Sequence, residues 1–69
     1  MLQMMNLFWL VFKDDKDLSV TIQPAGAIIA ARMRALLAGV KGEFQEGHEL
    51  DAKMARKVPK ARIGNVTLT

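Results

Sequence analysis

The sequence predicts an α+β fold in which an N-terminal β-hairpin is followed by two helices, in the order ββαα. An apolar run rich in aromatic and branched side chains comes first, and residues 18–23 then alternate strictly between apolar and polar. An alanine-rich stretch follows Pro24. With 69 residues, the chain is expected to form one small domain over residues 1–69.

The apolar run over residues 1–12 predicts a strand rather than a targeting segment. No lysine or arginine precedes it, and no small-residue cleavage site follows it, as a secretory signal peptide would require. Its length is also below the roughly 20 residues that a helix needs to cross a bilayer. We therefore expect the first strand at about residues 7–13 and no membrane partner.

Residues 17–23 predict the second strand of the hairpin, after a charged loop of three to five residues. Burial favours a register that places the apolar side chains of both strands on one face, because a slip of one residue would add Ser19 and Thr21 to that face. The outer face of the second strand should then be polar. The predicted pairs are Phe12 with Leu18, Leu10 with Val20, and Phe8 with Ile22.

The outer face of the first strand predicts a protein interface. Leu7, Trp9 and Val11 form an apolar row there, beside a second strand expected to face water. Small domains often complete their cores by association, so we expect a homodimer or another protein partner. The competing explanation is that the C-terminal segment around Val66 and Leu68 covers part of the row.

A first helix is predicted over residues 25–38, with Pro24 at its start and Gly39 at its end. Six alanines in this stretch favour the helix. The larger apolar side chains recur at helical spacing and are therefore expected to face the core. They are Ile29, Met33, Leu36 and Leu37.

The remaining third of the chain gives weaker patterns. Residues 43–47 predict a loop with Phe44 inserted into the core, and residues 48–57 predict a short second helix that Pro59 prevents from continuing. Residues 63–69 have a strand-like composition, and they are either a short third strand or a frayed end.

Charge is separated along this part of the sequence. Four acidic residues lie within positions 43–51, and five basic residues follow with no acid among them. The helix dipole favours such an order, and a basic segment of this kind also binds the phosphates of a nucleic acid. The candidate phosphate contacts are Lys53, Arg56, Lys57, Lys60 and Arg62.

Residue types that carry catalysis or bind metals are sparse. The chain has no cysteine and one histidine, His48, with no second ligand at zinc-site spacing. Lysines interrupt the aspartates at 14, 15 and 17, and Ser19 lies in no nucleophile motif. We expect no metal, no cofactor, no small-molecule substrate and no enzymatic activity.

The sequence therefore predicts a small interaction or regulatory module that associates with itself. A small nucleic-acid-binding protein that uses residues 53–62 is the alternative. Salt distinguishes the two, because phosphate binding weakens steeply as salt rises whereas apolar association does not. The absence of cysteine fits a reducing compartment, so a cytoplasmic location is expected.

Overall fold

A computed structural model describes residues 6–68, with the backbone alone for Leu68. The first five residues of the predicted apolar segment, and Thr69 of the predicted tail, lie outside the described part. A short 3₁₀ turn, Lys60–Arg62, precedes the last strand. The elements are β1 Asn6–Asp14, β2 Asp17–Ala25, α1 Ile28–Leu37, β3 Glu43–Glu49, α2 Ala52–Arg56 and β4 Val66–Leu68.

The strands form one antiparallel sheet in the order β3-β1-β2-β4. The predicted ββαα arrangement is therefore wrong. Residues 43–49 are a strand paired with β1, not a loop followed by the start of a helix. Buried and exposed side chains do not alternate along this segment. The strand forms because its backbone hydrogen-bonds to the open edge of β1.

The predicted hairpin is present, but its register differs by one residue from the prediction. Leu10 pairs with Thr21, and Phe12 pairs with Ser19. A two-residue turn joins the strands, and its first residue, Asp15, has a φ of 55°. Aspartate tolerates this left-handed conformation better than most residues, so the short turn can close and fix the register.

The observed register buries the polar side of β2. Ser19, Thr21 and Gln23 are all buried. The Thr21 hydroxyl donates to the Asn65 carbonyl oxygen at 2.7 Å, and Gln23 Nε2 donates to Thr21 Oγ1 at 2.8 Å. No fully buried side-chain nitrogen or oxygen within residues 6–68 lacks a partner, which removes most of the penalty for burying them.

The core lies between the sheet and α1. Phe8, Leu10 and Phe12 of β1 pack with Ala31 and Ala35 of the helix. The aromatic rings already fill most of the space above the sheet, so the helix fits with its small side chains inward. Further members of the core or its margin are Ala25, Ile28, Val40, Phe44 and Val66.

The predicted inward orientation of α1 is therefore wrong. The four large apolar side chains assigned to the core point to solvent, since Ile29 is 69% exposed, Met33 61%, Leu36 59% and Leu37 87%. The helix also begins later than predicted, because Pro24 still pairs with Leu7 in the sheet.

The C-terminal third contains less α-helix than predicted. α2 is five residues long instead of the ten predicted, and the Asp51 carboxylate caps it by accepting the Met54 backbone N–H at 2.7 Å. The tail forms β4, which pairs with β2 through Val66 opposite Thr21. Of the two possibilities for the tail, the strand is the one observed.

Candidate interaction surfaces

One apolar surface lies on the side of the sheet opposite α1. We call it the outer sheet face. Side chains alternate along each strand, so the observed register turns three apolar residues of β1 and three of β2 to this side. The expectation of a polar outer face on β2 is wrong. The six residues are Leu7, Trp9, Val11, Leu18, Val20 and Ile22.

Trp9 and Val11 lie near the middle of this face, on a central strand. Val11 is buried, and Trp9 is partly exposed. The Trp9 indole stacks on the His48 imidazole of β3, with ring centroids 5.6 Å apart and ring planes 16° apart. His48 Nε2 lies 3.4 Å from Glu46 Oε2, so a polar pair borders the apolar surface at β3.

The predicted interface residues Leu7, Trp9 and Val11 thus share one face, and the structure adds three residues of β2 to them. The competing explanation, that the C-terminal segment covers them, does not hold for Val66. Val66 pairs with Thr21 and packs against the core on the α1 side. The side chain of Leu68 lies outside the described part.

A second apolar surface lies on the far side of α1. We call it the helix patch, and its residues are Ile29, Met33, Leu36 and Leu37. Sequence reasoning missed it because the same spacing describes a core-facing stripe. The signal that identifies it is the alanine pair at 31 and 35. These small side chains mark the side of the helix that can pack against the large buried side chains of the sheet.

The segment that carries the helix patch has a positive net charge. Residues 24–42 contain two arginines and one lysine and no acidic residue. The Arg32 guanidinium lies 4.1 Å from the centroid of the Phe44 ring, so this side chain folds back toward the sheet. Arg34 and Lys41 are exposed.

The five basic residues of the C-terminal third are all exposed. Lys53, Arg56 and Lys57 lie on α2 and its C-cap, while Lys60 and Arg62 lie in the 3₁₀ turn. None of the five forms an ion pair with a described residue. The break at Pro59 prevents them from forming one continuous helical face.

The structure does not bring the candidate residues Ser19 and His48 together in the described part of the chain. One cleft of about 450 Å³ is bordered by Asp14, Asp17, Ser19 and Lys41. Ser19 lies on the α1 side of the sheet and His48 on the opposite side, so they do not form a nucleophile–base pair. Within residues 6–68, no group of three metal-binding side chains converges.

Comparisons of the chain with protein-family models, with curated proteins and with solved structures give no match. None of the helices in residues 6–68 has the length and apolar character required to cross a bilayer.

Proposed function

We propose that this protein is a non-enzymatic interaction module that associates with a second copy of itself through the outer sheet face. One observation carries the proposal. β1 and β2 turn six apolar side chains to the side of the sheet that α1 does not cover. The cytoplasmic location expected from the cysteine-free sequence belongs to the same proposal.

A sheet with two apolar faces is stable in water when both faces are covered. Here α1 covers one face, while every outer-face residue except the buried Val11 remains at least partly exposed. Stacking the outer faces of two copies about a two-fold axis buries the same six residues twice. Such a contact closes on itself and gives a dimer.

The layout of the face also suits an interface. Trp9 and Val11 are central, and aromatic residues at the centre of an interface carry a large part of its binding energy. His48 and Glu46 border the face at β3, and exposed Thr67 borders it at β4. A polar border around an apolar centre is the usual anatomy of a protein interface.

The test is sedimentation equilibrium of the wild type beside Val20→Thr. Threonine keeps the shape and strand preference of valine, but it places a hydroxyl in the proposed interface of each copy. We expect a dimer for the wild type and at least a tenfold weaker dimer for the variant. Ala30→Ser, on the exposed side of α1, is the matched control and should not change the association.

A wild type that stays monomeric at every concentration would contradict the proposal. Retained dimerisation in both Val20→Thr and Trp9→Ser would contradict the assignment of this face. Circular dichroism of each variant tests whether the fold is intact, which distinguishes loss of the dimer from unfolding.

A small nucleic-acid-binding protein is the second candidate function. The observation that favours it is the exposure of five basic side chains over residues 53–62, none of them ion-paired within the described part. The break at Pro59 and the charge order expected from a helix dipole weigh against it. The two functions respond differently to salt, which provides their separate tests.

A further inference from the structure

We propose that the helix patch binds an anionic lipid surface, with α1 lying along the headgroup region and not crossing the bilayer. The patch and the outer sheet face lie on opposite sides of the sheet. This binding is therefore independent of the proposed self-association, and either one can fail without the other.

The helix patch is largely exposed to solvent. Four large apolar side chains each expose more than half of their surface, and Leu37 exposes 87%. Together they present an apolar area of a few hundred Å², the size that marks interaction sites on small proteins. The alanines at 31 and 35 hold the opposite side of α1 on the sheet, so the helix does not have to unfold to insert the patch.

Basic residues accompany the patch. No acidic residue occurs from Pro24 to Gly42, a stretch that includes all of α1 and both of its flanks. Arg34 and Lys41 are exposed, and basic side chains near an anionic membrane are attracted to it. Lys41 also borders a cleft with Asp14 and Asp17, so Arg34 is the main source of this attraction. An apolar helix side with basic residues beside it is typical of helices that lie in the membrane interface.

The same facts disfavour a second helix patch as the occupant. Two patches in contact would bring Arg34 and Lys41 of both copies together without an acidic partner on α1. An anionic lipid surface needs no matching shape and supplies the opposite charge.

The experiment measures binding to vesicles of phosphatidylcholine with phosphatidylglycerol, and to vesicles of phosphatidylcholine alone. We expect binding to the anionic vesicles that weakens as salt rises, and much weaker binding to the neutral ones. Leu36→Ser with Leu37→Ser should reduce binding at least tenfold. Arg34→Gln should reduce binding about fivefold, and only to anionic vesicles.

Matched controls separate the patch from the rest of the surface. Ala30→Ser with Ala38→Ser adds two hydroxyls to the same helix region without removing a large side chain, and binding should not change. The chain has no cysteine, so a single introduced cysteine can carry an environment-sensitive dye. A dye at Leu37→Cys should move to an apolar environment on the vesicles, while a dye at Lys57→Cys should stay in water.

Each other outcome overturns the proposal. Absence of binding to anionic vesicles would exclude it, as would a dye response at position 57 without one at position 37. Equal binding by the wild type and the Leu36/Leu37 variant would show that the patch is not inserted. Loss of the dimer in that variant, with the Val20→Thr dimer intact, would assign the patch to self-association instead.

Discussion

Leu10 of β1 lies directly opposite Thr21 of β2, and these two are the largest fully buried side chains of the described residues. An apolar and a polar side chain thus share the centre of the sheet on the side of α1. The Thr21 hydroxyl accepts from Gln23 and donates to the Asn65 carbonyl, so it links β2 to the segment that leads into β4. The buried polar residues Ser19, Thr21 and Gln23 are therefore a structural part of the core.

Thr21→Val is expected to destabilise the protein by about 1–3 kcal/mol, although the two side chains have nearly the same shape. The variant leaves the buried Gln23 amide and the part-buried Asn65 carbonyl without the Thr21 hydroxyl as a partner. Urea denaturation followed by circular dichroism measures the change. Thr67→Val, on the exposed side of β4, is the matched control, and its effect should stay within about 0.5 kcal/mol. Equal effects would show that the hydroxyl network does not stabilise the fold.

Leu36→Ala should change the free energy of unfolding by no more than about 0.5 kcal/mol, because the leucine is exposed and alanine is an equally good helix former. Ala35→Leu should cost about 1–3 kcal/mol, because it forces a larger side chain between α1 and the filled sheet. Thermal unfolding of both variants compares them. A larger loss of stability for Leu36→Ala than for Ala35→Leu would mean that α1 has the opposite orientation, with Leu36 toward the sheet.

The hairpin was predictable from the sequence, whereas its register and the orientation of the helix were not. β1 is apolar on both faces, so periodicity alone leaves two choices for its partner. The two-residue turn at Asp15 selects the choice that buries Ser19 and Thr21, and a hydrogen bond from Thr21 to a distant residue, Asn65, offsets part of the cost. That bond depends on a tertiary contact that a local sequence pattern does not reveal.

The same limit applies to β3 and to the surfaces. Residues 43–49 have no strand pattern, and they become a strand because the edge of β1 is available. The row of Leu7, Trp9 and Val11 was predicted as an interface, and that role remains a prediction. The helix patch was assigned to the core because an apolar stripe at helical spacing does not reveal which side of a helix faces the sheet.

Gly42→Ala should destabilise the protein by at least about 2 kcal/mol. Gly42 has a φ of 101°, and an added Cβ would collide with the backbone carbonyl of Lys13, next to the pair formed by Lys13 and Glu43. The three nearest atoms all belong to the backbone of Lys13 and Asp14, so no side chain can move aside to make room. Gly26→Ala is the control, since nothing lies within 4 Å of its Cβ position. Urea denaturation of the two variants checks the difference, and similar midpoints would contradict the close approach of β3 to β1.

If residues 53–62 bind a nucleic acid, the affinity for double-stranded DNA should fall linearly with salt on logarithmic axes. Each phosphate contact contributes a slope of about −0.9, so five basic side chains give at most about −4 to −5. Arg56→Gln with Lys57→Gln should flatten the slope by about 2, because two contacts are removed. Fluorescence anisotropy of a labelled duplex at several salt concentrations measures it.

The matched control for this prediction is Arg34→Gln with Lys41→Gln, which removes the same charge from the region of α1. If residues 53–62 make the phosphate contacts, the control variant should keep the wild-type dependence of affinity on salt. If both double variants flatten the slope equally, the protein responds only to its net charge of +3, and the segment has no special role. If the wild type does not bind DNA at low salt, the nucleic-acid function is excluded. The basic side chains of α2 are then explained by their favourable interaction with the helix dipole, and self-association through the outer sheet face remains the proposed function.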